Sequence, residues 1–205
     1  MQASTCMSAP TPGRRRPPAR QLLLSAAARV FARDGLAGAT TRAISREAGV
    51  NEVTLFRTFG TKEHLIAAVV GRAFGAAAAP APSAGPAGLQ ADLQAFAQRY
   101  DALLVANLSL VRTMIGEIHR HADCEHQALK GIFSPLRAAL VRRLALARRR
   151  GEIRATVNPE VAADLLAGMV FSAVLRRSLP RMRRPYGAAE YLRAAVDVFL
   201  RGLGA

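Results

Sequence analysis

At 205 residues the chain can bury a real core, either as one domain or as a small domain joined to a larger one. Its formal charge of +15 favours a polyanionic partner, nucleic acid or a membrane surface, but almost all of it is arginine, a bias that genomic base composition also produces. Two cysteines, Cys6 and Cys124, exclude a disulfide framework and suit a reducing cytoplasm; every apolar run is broken by Arg, Gly or Pro short of the roughly 20 residues a membrane helix needs, so no membrane partner is expected.

Residues 1–17 combine Ser, Thr, Pro and Gly with Arg14, Arg15 and Arg16, too little apolar surface to offset the entropy of ordering, and read as a flexible basic arm. The arm either touches DNA, together with Arg20, or stays solvated. The apolar run Leu22 to Ala28 leads directly into an amphipathic helix, which argues against a signal peptide. In that first helix Leu23, Ala27, Val30 and Phe31 share a face, and Gly35 is the expected stop.

Thr40 can cap a short second helix carrying Ile44 and Ala48, which Gly49 ends. Asn51 can then cap a third helix with Val53, Leu55, Phe56 and Phe59, and Thr61 opens a fourth whose stripe is Leu65, Ile66, Val69, Val70 and Phe74. A short helix, a tight glycine turn and a second short helix make a helix-turn-helix between Thr40 and Phe59.

The linker-like stretch from Pro80 to Gly88 separates this unit from further helical stripes. They run through Leu93, Phe96, Tyr100 and Leu103, through Leu108, Val111, Met114, Ile115 and Ile118, and through Phe133, Leu136, Leu140 and Leu144. Asn158-Pro159-Glu160 is a helix start with cap, proline and acid in order, leading through Leu165, Met169 and Val174. A last helix carries Tyr191, Leu192, Ala195, Val196, Phe199 and Leu200. With no strand-like alternation, the expected fold is all-α with roughly nine helices, divided into an arm (1–17), a helix-turn-helix domain (18–64) and an effector-binding and dimerisation domain (65–205).

The run Thr41-Arg42-Ala43-Ile44-Ser45-Arg46-Glu47-Ala48-Gly49-Val50-Asn51, followed by Leu55-Phe56-Arg57-Thr58-Phe59-Gly60-Thr61-Lys62-Glu63-His64-Leu65, resembles the TetR (tetracycline-repressor-like) family of regulators. The resemblance covers roughly residues 18 to 70 and departs from the family pattern at Ser45 for alanine, Asn51 for serine and Phe56 for tyrosine. Phenylalanine cannot donate the hydroxyl that the family tyrosine gives to a phosphate. The resemblance implies a sequence-specific DNA-binding regulator, a repressor released from its operator by a small molecule, and not an enzyme; no cofactor is expected.

By matching positions, Thr40 and Lys62 fall where the DNA backbone is contacted and Arg42 where a phosphate or a base edge is in reach. Thr41 and Phe56 complete the DNA-binding set, with Arg57 able to take the phosphate that Phe56 cannot and Asn51 as the cap. On the exposed face of the third helix Glu52 can accept from cytosine, Val53 and Thr54 can meet a thymine methyl, and Arg57 can pair with guanine. Each has a plainer alternative as a cap, a core residue or a solvated side chain. The expected partners are pseudo-palindromic double-stranded operator DNA and a second copy of the chain, docked through the last two helices, where Ala162, Ala163, Ala167 and Gly168 permit close approach. Phe96, Tyr100, Met114, Ile118 and Phe133 either line an effector pocket or simply fill the core.

His119, His121, Cys124 and His126 raise two further readings: a metal- or redox-responsive regulator, and more remotely a cysteine-dependent enzyme. Neither a second ligand set nor an active-site partner accompanies the cluster, so no metal site is assigned. The arginines at 142, 143, 148, 149 and 150, and at 176, 177, 181, 183 and 184, read as a solvated, salt-bridged surface rather than as a site for an anionic effector or further DNA.

Overall fold

The computed structural model describes residues 17–75, 88–117, 122–179 and 184–204, the side chains at 75, 117 and 122–135 excepted. All regular structure among them is helical: α1 (Ala19–Gly38), α2 (Thr41–Ala48), α3 (Glu52–Phe59), α4 (Lys62–Gly75), α5 (Gly88–Ala106), α6 (Leu108–Glu117), α7 (Ala122–Arg149), α8 (Pro159–Arg177) and α9 (Ala188–Leu203).

The chain's helix ends follow local chemistry. Gly35 breaks α1 where its sequence position suggested: with φ 74 and ψ 176 it leaves the helical conformation and kinks the chain, and one separate turn runs on to Gly38. The kink places Leu36 in the core at 1 % exposure. At the other end of the molecule Asn158 accepts from the Glu160 amide at 2.9 Å and Pro159 occupies the first turn of α8, as the residue order requires.

α1 packs on α2, α4 and α6, α4 packs on α7, and α5 is sandwiched against α8 and α9. One continuous core results, from Phe31, Ile44 and Leu55 through Phe74, Leu93 and Leu104 to Leu140, Leu166 and Val196. Several stripe positions turn outward: Ile115 and Leu165 are exposed, whereas Leu104, Leu110 and Leu166 are the residues their helices bury. A run of apolar residues on a helix does not by itself say which of two neighbouring positions meets the core.

The expectation of a solvated arginine surface fails at Arg143. This side chain is 4 % exposed and reaches Asp92 on α5 at 2.6 Å and Glu152 at 3.0 Å. Burial works against its charge, but hydrogen bonds to both carboxylates outweigh it, and the guanidinium pKa is raised. Arg177, half-buried, also reaches an acid, donating to Asp101 at 2.5 Å across 76 residues of sequence. In both cases the partner acid sits on α5, so these arginines tie α5 to α7 and to the end of α8.

Candidate nucleic-acid interface

The turn between α2 and α3 is set by its own residues. Thr40 Oγ1 accepts from the Ala43 amide at 3.1 Å, covering one of the unpaired donors at the start of α2. Gly49, left-handed at φ 64, ends the helix; its amide donates to Arg46, and the Val50 amide donates to Ser45 at 3.1 Å, the paired bonds of a Schellman ending. Only two residues later Asn51 Oδ1 accepts from the Val53 amide at 2.9 Å and starts α3.

Eight residues of α3 divide cleanly between two faces. Leu55 and Phe59 are buried, Leu55 completely, and fix the helix against α1 and α4. Val53, Phe56 and Arg57, at the i, i+3, i+4 spacing, all point outward; Val53 is 71 % exposed and Phe56 47 %. Two apolar side chains are thus held in solvent beside an arginine, a costly arrangement for a surface with no partner. Arg42, Thr40 and Asn51 are also exposed, and Thr54 is half-buried.

Two expected contact residues are engaged inside the protein. Thr41 Oγ1 donates to Glu52 Oε1, tying the start of α2 to the start of α3. Lys62 is half-buried, and its Nζ donates to the Leu36 carbonyl at 2.5 Å, clasping the end of α1. Thr61 Oγ1 accepts from the His64 amide at 3.2 Å and caps α4, while His64 Nδ1 lies 3.1 Å from the Phe59 carbonyl.

Sequence reasoning missed one member of this unit's framework. Arg20 was grouped with the basic arm, yet it belongs to α1, and its guanidinium stacks 5.5 Å from the centre of the Phe59 ring. Ser45, the departure from alanine, is 2 % exposed, and its hydroxyl has no hydrogen-bond partner among the described residues.

In the body, Phe96, Tyr100 and Met114 are buried to within 4 % of complete, and the first two rings stack at 5.7 Å. Burial pushes the Tyr100 hydroxyl pKa up. None of the described cavities is lined by these three. Ile118 lies outside the described residues, as does the Phe133 side chain. The same holds for His119 and His121 and for the side chains of Cys124 and His126, so the cluster they form in sequence is not placed.

On the last two helices Ala162 and Ala163 pack inside their own chain instead of facing outward. The outward apolar residues are Val161 and Leu165 on α8, at 53 % and 60 % exposure, and Val198 on α9, at 62 %. No helix among the described residues is long and apolar enough to cross a membrane.

Solved structures of similar fold support the architecture. The Salmonella enterica protein GusR is 26 % identical with a TM-score of 0.69, covering 90 % of this chain and 96 % of its own. FadR from Bacillus subtilis, solved with stearoyl-CoA, is 16 % identical with a TM-score of 0.73, covering 89 % and 98 %. The TetR family transcriptional regulator PfmR from Thermus thermophilus is 22 % identical with a TM-score of 0.64, covering 88 % and 98 %. No curated protein sequence matches the chain. Two family models do: "Bacterial regulatory proteins, tetR family" over residues 23–69, and "Tetracyclin repressor-like, C-terminal domain" over residues 87–198. With its recognition helix capped, faced and presented as described, and both halves matched, the chain belongs to the TetR family of bacterial regulatory proteins.

Proposed function

We propose that this regulator is a repressor that binds a pseudo-palindromic operator as a homodimer and is released by a small-molecule effector. The observation that carries the reading is the outward face of α3, where Val53, Phe56 and Arg57 stand exposed on a helix whose opposite face is locked into the core.

Residues 18–64 would read DNA, and 65–205 would bind effector and dimerise. Arg57 supplies a fork that can hold guanine or a phosphate, and Val53 and Thr54 offer methyl contacts to thymine. Phe56 can press on a sugar or a thymine methyl but donates nothing, which leaves phosphate contact to Arg57 beside it and to Thr40, Arg42 and Lys62. Lys62 spends one of its three donors on Leu36 and keeps the others. Glu52, held by Thr41, can accept from cytosine with its second oxygen.

Val161, Leu165 and Val198 would meet their counterparts on a second copy, forming a four-helix bundle. An effector would settle among α5, α6 and α7 beside Phe96, Tyr100, Met114, Ile118 and Phe133. It would act by preferring a conformation whose recognition helices are badly spaced for DNA, since only differential affinity shifts the equilibrium. FadR, of the same fold, holds stearoyl-CoA, which supports a ligand-responsive body here. Turnover is not part of the proposal, and the protein would act in the cytoplasm.

The test is binding of the purified protein to the DNA upstream of its own gene, measured by anisotropy across a salt series. Affinity should fall steeply with salt, and Arg57→Ala should cost roughly 1 to 3 kcal/mol. Equal affinity for all genomic fragments and bulk DNA would sink the reading.

A further inference from the structure

A cleft of about 300 Å³ opens between α1, α4 and the elbow joining α5 to α6. Ala28 and Ala32 of α1, Ala73 of α4 and Ala106 of α5 line it beside Val69 and Leu110, and the four small side chains leave open the space where these helices cross. The cleft opens to solvent past Ala32 and Ala106, which are exposed, and lies where the DNA-reading unit meets the body.

Its polar lining is one-sided in charge. Arg72 of α4 brings a guanidinium, Asn107 an amide and Ser109 a hydroxyl. The Arg72 guanidinium donates to Ser25 Oγ at 2.9 Å, and no carboxylate among the described residues forms an ion pair with it. A cation without an acid, beside an alanine floor, complements a small molecule that pairs a carboxylate with a compact apolar body.

The position also gives such a ligand leverage. Asn107 Nδ2 donates to Leu103 at 2.9 Å and reaches the Ala73 carbonyl at 3.5 Å, so the elbow is joined to the last turn of α4 by a long contact that yields readily. The other end of α4 carries Lys62, which clasps α1 beneath the recognition unit. A body wedged between Ala32, Ala73 and Ala106 would move α4 relative to α1 and disturb the placement of α3.

We propose that this cleft is a second effector site, taking a small organic carboxylate held by Arg72 over the alanine floor, and that its occupation weakens DNA binding. The regulatory half rests on the function proposed above; the binding half does not.

Benzoate is the probe, with benzamide as its uncharged counterpart, titrated into the full chain and followed by calorimetry or chemical-shift change. Benzoate should bind in the millimolar range or tighter, and benzamide about tenfold more weakly. Arg72→Gln should weaken benzoate about tenfold, and Ala106→Leu, at an exposed position, should block the floor while leaving the thermal melt unchanged. No benzoate binding up to about 10 mM, or equal binding by both variants, overturns the site. Saturating benzoate should lower affinity for the upstream DNA about fivefold or more in the parent and not in Ala106→Leu; binding without that change overturns the regulatory half. Benzoate binding in a protein with no DNA preference leaves the cleft standing and removes the repressor reading, whereas normal DNA binding without benzoate binding removes the cleft alone.

Discussion

The recognition unit and the body are both helical, but different interactions hold them in shape. In the recognition unit the contacts that set each helix end span two to five residues, Thr40 to Ala43, Val50 to Ser45, Asn51 to Val53 and Thr61 to His64, while the Thr41–Glu52 bond and the Lys62 clasp reach further. In the body the decisive contacts span tens of residues, as Arg143 to Asp92 across 51 and Arg177 to Asp101 across 76. A surface that must present fixed side chains to a rigid duplex benefits from locally determined backbone, whereas a body that must change shape benefits from a few separable long-range ties.

The sharpest way to break this contrast is to remove a tie from the body. Arg143→Met leaves Asp92 buried without its partner and should cost about 3 to 5 kcal/mol in urea unfolding, with most of the loss recovered when Asp92→Leu is added. If the single change costs no more than a surface mutation, the buried pair does not fasten α7 to α5.

Next in size, Asn51→Ala removes the cap of α3 and should cost about 1 kcal/mol, as should Thr40→Ala at α2. Both should weaken DNA binding by more than their stability loss alone predicts, because they loosen the presented face; equal unfolding midpoints for parent and variants would refute the local determination argued above. Ser45→Ala runs the other way. Its hydroxyl is buried without a partner, so the change should be neutral or stabilising by up to about 1 kcal/mol, read as a shift in melting temperature.

The smallest effect is a pH dependence confined to the body. Arg137 donates to Asp164 at 2.6 Å and holds that carboxyl below its ordinary value. A lowered folded pKa means the contribution is fully present above the unfolded carboxylate value, near 4, and is lost as pH falls through the folded one. Because the Asp164 side chain is 61 % exposed, screening reduces this to a few tenths of a kcal/mol. Asp164→Asn should lower stability by that amount at neutral pH and leave it unchanged in acid below the folded carboxyl value, flattening the acid limb of the stability curve.

The same contrast explains what was legible in the sequence. Thr40, Gly49, Asn51 and Asn158-Pro159-Glu160 announced themselves because a cap and the amide it serves lie within one turn. Arg143 did not, since its acid is an α5 residue and nothing near Arg143 in sequence marks Asp92 as its partner. Glu152, nine residues away, was no better a clue, lying among arginines that looked solvated. Ala162 and Ala163 were assigned outward for a related reason: small residues suit close approach to any neighbour, and only the packing of α5 against α8 shows that the neighbour is internal. At Lys62 and Glu52 the positions were read from the pattern, but their internal partners, Leu36 and Thr41, were not.

The Lys62 clasp has a further consequence for how the recognition unit opens. It closes a loop of 26 residues that contains the whole of α2 and α3, and helices of eight residues have little stability on their own. Neither helix can therefore fray independently of the other without either leaving its cap or breaking the clasp. Amide exchange at Ile44 and Leu55 should then proceed through one shared opening at one rate, so that the reading head behaves in solution as a single cooperative bead strung between α1 and α4.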